Sequence, residues 1–247
     1  MDSVILSLSF PNEFSILPEP ERRSWVADWC QDYLIPVLIQ LPKNLKHFIG
    51  GDFARTGDLT ALWILTQEQT LKLHTPLVLE IRNCPFEQQT QILFKTIELL
   101  PNFMAGAFDA KGLGMQIAEA TADQFGRARI EQVMLTQDWY RQNMPPIKIL
   151  LEDGEISIPK DDDILSDLRF IRKINGIPKI PETKTKGTDG QQRHGDTAIA
   201  LAMALYAARE MNPAPIEYTP LPSKLDRWSS SSSRWDDDDD SHDKGCY

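Results

Sequence analysis

The stretch "HFIGGDFARTGDLTALWILTQEQTLKLHTPLVLEI", residues 47–81, does most to limit the folds open to this chain. It holds apolar runs separated by very short polar breaks. Runs of this length rich in Ile, Leu, Val and Trp read as strands, and breaks this short leave only hairpin connections. The pattern predicts strands over 47–53, 59–66 and 71–82, joined by a turn at 55–58 and by "EQT" at 68–70. Apolar residues occur on both faces of each strand in places, as central strands covered on both sides require.

The periodicity then changes. A helix is predicted over 86–100, entered after Pro85, with Ile92, Leu93, Ile97 and Leu100 on one stripe. "MAGAFDA" (104–110) reads as a short strand, "KGLG" as a glycine-rich turn into a helix, and "ARIEQVMLT" as a fifth strand. Helices are expected at 145–153 and 162–173, with a short extended piece, "EISIP", between them. The polar stretch "IPETKTKGTDGQQRHG" reads as a loop, and a last helix is expected over 195–211. Three hairpin-linked strands followed by helix, strand, helix and strand give an α/β protein with a mixed sheet flanked by helices. That is the element order of the ribonuclease H-like fold: three antiparallel hairpin strands plus two parallel strands.

Around this body, residues 1–44 form a lead-in segment rich in Pro, Trp and acids. One helix is expected at about 20–34, ended by Pro36. The body runs over 45–211. Residues 212–247 are a Pro-rich strap and an acidic tail, "WSSSSSRWDDDDDSHDKGCY", whose composition predicts disorder.

Bulk composition narrows the function classes. At 247 residues with 41% hydrophobic and 25% charged content, the chain is of ordinary globular make-up. Cys30, Cys84 and Cys246 lie far apart and form no zinc or disulfide pattern, which suits a reducing cytosolic compartment. The chain opens without a signal-peptide pattern, and no apolar stretch reaches the roughly 18 residues of a membrane span. The formal net charge of −10 argues against a simple nucleic-acid-coating protein, although the acids of the tail account for part of it.

Acids mark where chemistry can sit. Asp52 ends a buried-looking strand, where a carboxylate is costly unless paired or bound to a metal. Alone, it reads first as a turn residue after Gly50 and Gly51. Asp109 repeats the situation at the end of the 104–110 strand, and sites in such sheets lie at strand carboxyl ends. An N-cap of the next helix is its bland alternative. Asp196, in "GDTAIALAMALYAARE", shares the helix stripe of Ile199, Ala200, Met203 and Ala207, so it points toward the sheet. It also sits in a first turn, where the helix dipole favours a carboxylate. Asp58 opens the second strand and is either an accessory ligand or a plain turn residue. Carboxylates converging in this way suit two Mg²⁺ or Mn²⁺ ions. Asp161, Asp162 and Asp163 read as capping charges. Lys111, Arg55, Arg193, His194, Lys184 and Lys186 are the candidates for contact with a DNA backbone.

The motifs "GGDFARTGDLTALWIL", "AGAFDAKGLGMQIAEATADQFG", "RIEQVMLT", "LLEDGEISIPKDDDILSDLRFIRKI" and "RHGDTAIALAMALYAA" resemble the nuclease half of phage large terminase subunits, the Mu-like type above all. The resemblance covers residues 45–210. It implies a ribonuclease H-like domain that cuts double-stranded DNA with two metal ions during genome packaging, in the cytoplasm of a bacterial host. Asp52, Asp109 and Asp196 match its acidic triad and Asp58 its frequent extra acid. Expected partners are a terminase ATPase, a small terminase subunit or a portal, and no membrane. No G-x-x-x-x-G-K-[ST] motif is present, so translocation of DNA is not expected of this chain itself. Two other readings remain open at this level: a non-catalytic packaging module docking on a portal or separate ATPase subunit, and an actin-like sugar kinase. The kinase reading lacks the further phosphate-binding glycine motifs it needs.

Overall fold

The computed structural model describes residues 2–54, 59–112 and 114–212. In chain order the elements begin with strand β1 (Val4–Ser9), helix α1 (Glu19–Trp29) and helix α2 (Ile35–Leu38). Next come strands β2 (Lys46–Asp52), β3 (Leu59–Gln67) and β4 (Leu73–Arg82), then helix α3 (Phe86–Leu99). Strand β5 (Phe103–Asp109), helix α4 (Gly114–Phe125) and strand β6 (Ile130–Val133) follow. After them lie helices α5 (Gln137–Asn143) and α6 (Pro145–Glu152), strand β7 (Ile156–Ser157) and helix α7 (Asp162–Arg169). The chain continues through the hairpin strands β8 (Arg172–Ile174) and β9 (Ile177–Lys179), then β10 (Thr185–Lys186) and β11 (Gln192–Arg193). Helix α8 (Asp196–Glu210) closes the series.

The main sheet runs β1-β4-β3-β2-β5-β6, with β7 paired to one end of β4. β3 is antiparallel to β2 and β4, whereas β2, β5 and β6 run parallel. This is the expected ribonuclease H-like mixed sheet with helices on both faces. Alternation sorts the side chains. Ile49, Leu62, Ile64, Leu79 and Phe108 join one core beneath α1, α3 and α4. Phe48, Ala61, Trp63, Ala105 and Ala107 join the other, against α8. Two buried polar pairs lie on the sheet: Trp63 Nε1 donates to Thr75 Oγ1 at 3.0 Å, and Thr66 Oγ1 lies 2.9 Å from His47 Nδ1.

Several elements differ from the expectations, each for a physical reason. Val4–Ser9 adds a strand parallel to β4, a pairing across some 70 residues that local pattern does not announce. Pro36 does not end the first helix. A π-helical turn at Cys30–Leu34 widens the backbone where the proline ring meets the preceding turn, and helix continues to Leu38. Helix α7 stops at Arg169 rather than at residue 173, because the following residues form a two-stranded hairpin. Its turn is Asn175-Gly176, both with positive φ (50° and 83°). The segment read as a loop contains a second small hairpin, β10–β11.

Candidate active site

The parity of β2 places Phe48, Gly50 and Asp52 on one face, and that of β5 places Ala105, Ala107 and Asp109 on the same face. Phe48, Ala105 and Ala107 pack with α8, which fixes that face as the α8 side. Gly51 pairs with Phe108 in the parallel β2–β5 ladder, so Asp52 and Asp109 end adjacent strands. Neighbouring strands lie about 4.8 Å apart.

Helix α8 runs antiparallel to β2. At one end, Lys46 Nζ donates to Asn212 Oδ1 at 2.9 Å, and Asn212 Nδ2 donates to Gln67 Oε1 at 3.1 Å. In the middle, Gly50 faces the helix backbone so closely that a Cβ there would sit 2.2 Å from the Ala200 carbonyl oxygen. Two strand residues onward from Gly50 is about 7 Å, which matches about four helix residues back from Ala200. That step arrives at Asp52 on the strand and at Asp196 on the helix. The three acids expected from the sequence therefore share the carboxyl-terminal edge of β2 and β5.

Each acid has a distinct environment. Asp196 is only 6% exposed, and the His194 backbone N–H donates to its Oδ2 at 3.1 Å. Asp109 accepts the Lys111 backbone N–H at 3.0 Å. Burial holds the Asp109 carboxyl above the usual aspartate range, and the Lys111 N–H and its charge only partly offset this. Tyr140 on α5 reports the same field. Its phenol is pushed upward first by burial and then by the negative charges of Asp52 and Asp109, which places both acids within electrostatic reach of one hydroxyl. Carboxylate oxygens are hard donors of the kind that suits a divalent cation. Among the described residues no group of three His, Cys, Asp or Glu side chains stands arranged to hold a metal ion. Asp58 and Arg55 lie outside the described residues.

The candidate DNA contacts divide. Lys111, Lys184 and Lys186 are exposed and His194 is half-buried. Arg193 is corrected: it is 1% exposed and faces the interior, so it cannot meet a DNA backbone. Its Nη2 donates to Asp167 Oδ2 at 2.9 Å and to Glu80 Oε1 at 2.7 Å, and its Nε donates to Asp167 Oδ1 at 3.2 Å. Burial presses the guanidinium toward neutrality, but those carboxylates more than offset it and hold the group charged, with its pKa raised. The Thr197 hydroxyl donates to Asp167 Oδ2 at 2.6 Å, so fully buried Asp167 ties Arg193 to the first turn of α8, beside Asp196.

Sequence reasoning missed Asp167, Glu80 and Tyr140. Asp167 carried a usable signal: it lies on the same helical stripe as Ile164 and Leu168, the inward placement that singled out Asp196. Asp161 does cap α7, accepting from the Asp163 and Ile164 backbone N–H groups at 3.0 and 2.9 Å. Asp163 instead accepts the Thr188 backbone N–H (2.8 Å) and hydroxyl (2.9 Å), which fastens the β10–β11 hairpin to α7.

Comparison with known proteins follows the same lines. The "Mu-like prophage FluMu protein gp28" of Haemophilus influenzae is 40% identical over 206 residues, covering 83% of this chain and 40% of that protein. The "Probable terminase, large subunit gp28" of Escherichia phage Mu is 38% identical over 208 residues, covering 84% of this chain and 38% of that protein. The chain therefore spans about two fifths of the length of these curated relatives. Among solved structures, the large terminase nuclease of thermophilic phage G20c overlaps with a TM-score of 0.49 at 20% identity, covering 67% of this chain and 83% of that one. No protein-family model matches.

Proposed function

We propose that this chain, a relative of the large terminase subunits of Mu-like phages, is an endonuclease that hydrolyses phosphodiester bonds of double-stranded DNA with divalent metal ions during packaging. One observation carries the reading. Two adjacent parallel strands end in aspartates on the face covered by α8, and α8 brings a third, nine-tenths-buried aspartate to the same edge.

Asp52, Asp109 and Asp196 would hold Mg²⁺ or Mn²⁺, with Asp58 as a further ligand. Two such ions, when bound, supply Lewis-acid stabilisation of charge on the phosphodiester and activation of a water molecule. The chain's own contribution is placement. The β2–β5 ladder fixes Asp52 and Asp109 side by side, and the Arg193–Asp167–Thr197 network fixes the start of α8 and with it Asp196. Tyr140, its phenol held protonated first by burial and then by the charges of Asp52 and Asp109, offers a neutral hydroxyl within electrostatic reach of the two strand acids. Lys111, Lys184 and Lys186, which are exposed, and half-buried His194 would meet DNA phosphates in this reading. The ATPase that drives packaging, and the portal or small subunit that positions DNA, are partners of this reading.

Plasmid nicking in Mn²⁺ or Mg²⁺ tests it. Purified protein should linearise or nick supercoiled plasmid, EDTA should abolish the activity, and Asp52→Asn, Asp109→Asn and Asp196→Asn should each lower the rate by at least about 10²-fold. Metal-dependent cutting that survives all three substitutions would overturn the assignment of these acids.

A further inference from the structure

Away from the acids, a groove of about 940 Å³ opens between α6, α7 and the β8–β9 hairpin. We propose that it is a docking site for an acidic amphipathic segment of a partner protein. The reading is independent of the nuclease assignment.

The floor is aliphatic. Met144, Leu151, Leu165 and Leu168 line it, and Ile149 on its edge is 54% exposed. Ile149 leaves apolar surface open to water at this edge, where a partner's apolar side chain can cover it. The charged side chains of the rim are mostly cationic, with Glu152 the one acid among them. Lys148 is paired with Glu152 at 3.5 Å and Arg141 with Asp138, so those cations are compensated within their own helices. Arg169, Arg172 and Lys173, on the opposite wall, have no carboxylate within ion-pair distance among the described residues. In a chain with a net charge of −10, three adjoining uncompensated cations beside an apolar floor form a local exception.

The occupant follows from that pairing. A helix that presents apolar residues at i, i+3, i+4 and i+7 fills an aliphatic groove, and Asp or Glu beside that stripe meets the cationic wall. DNA fits less well. Its backbone gains nothing from a dry aliphatic floor, and the lining has no aromatic ring on which an unpaired base can stack. The β8–β9 hairpin holds the wall rigidly, because its Asn175-Gly176 turn matches the strand twist and Ile177 is buried beneath it.

The test uses the whole chain and a fluorescein-labelled synthetic helix of about five turns. The helix carries Leu on one stripe and Glu on both flanks, and a twin carries Lys in place of Glu. Fluorescence anisotropy should show saturable binding of the Glu peptide, at least about tenfold tighter than the Lys peptide and weakened by added salt. Ile149→Glu, at an exposed position, and the charge reversal Arg172→Glu/Lys173→Glu should each weaken binding by about tenfold or more. Circular dichroism and unchanged plasmid nicking would show that both variants fold. Equal binding of the two peptides, or binding indifferent to both variants, would overturn the proposal. So would a short DNA duplex whose affinity falls with Arg172→Glu/Lys173→Glu but not with Ile149→Glu, which would assign the wall to nucleic acid.

Discussion

Replacing Gly50 by alanine tests the whole geometry of the site with one methyl group. The new Cβ would lie 2.2 Å from the Ala200 carbonyl oxygen, 2.2 Å from the Ala204 nitrogen and 2.8 Å from the Met203 carbonyl carbon. Ordinary contact begins near 3.4 Å, so α8 must rise from the sheet by roughly 1 Å. All three obstructing atoms are backbone, and no rotamer change relieves them. Overpacking of this kind costs about 1–3 kcal/mol, and the upper end applies where nothing can rotate away. Restricting the unfolded chain returns only about 0.4–1 kcal/mol. The net loss is about 2 kcal/mol, which in a chain of this length lowers Tm by roughly 4–8 °C. Lifting α8 also carries Asp196 away from Asp52 and Asp109, and a 1 Å misplacement of a reacting group can cost about 10²-fold in rate. Gly51→Ala is the matched control. Its Cβ meets the Leu62 and Phe108 side chains at 2.8 Å on the opposite face, so it should lower Tm while retaining far more nicking activity. Thermal melts and plasmid nicking on both variants decide the matter. A Gly50→Ala protein with wild-type Tm and full activity would refute the close seating of α8 on β2.

Arg193→Met leaves Asp167, fully buried, and Glu80 without their cation and should destabilise the protein by about 3–5 kcal/mol in urea unfolding. The double variant Arg193→Met/Asp167→Leu should recover part of that loss, and further destabilisation instead would show that the ion pair does not bury an uncompensated charge when broken. Asp109→Asn should abolish nicking yet raise Tm at neutral pH. The folded pKa of Asp109 is raised, so its stabilising effect is complete below its ordinary value of 3.8 and is lost as pH rises through the folded value. The gain from Asn should therefore be present at pH 7 and vanish near pH 3, and a gain equal at both pH values would contradict the burial of that carboxyl.

How much of this was legible beforehand depended on how local each signal was. β2, β3 and β4 announce themselves because their partners are the next segments in sequence and their breaks are too short for anything but hairpins. β1 does not, because "VILSLS" finds its partner only across the first hairpin strands, at Leu77 through Arg82. The β8–β9 turn was visible as an Asn-Gly pair, but α7's apolar stripe masks it by running on through Ile171 and Ile174 with near-helical spacing. The reading of Arg193 failed because a cation next to a candidate acid looks like a phosphate ligand in sequence, whereas its carboxylate partners come from α7 and β4, 26 and 113 residues away.

The placement of the three aspartates follows from a different feature, the small residues beside them. On the α8 face, the positions preceding Asp52 and Asp109 are glycine and alanine: Gly50 on one strand, Ala105 and Ala107 on the other. Small residues let a helix backbone approach the sheet, and α8 answers with its own run of alanines. Such a helix gains little from large apolar side chains, so it must be buried on every side to hold. Residues Asp196 through Leu205 are all buried, with α6 and α7 over the outer face. The close approach brings the first turn of α8 toward the strand ends that carry Asp52 and Asp109. The spacing between α8 and these strand ends is therefore set by Gly50, Ala105 and Ala107. Substitutions that enlarge those three should cost activity before they cost the fold.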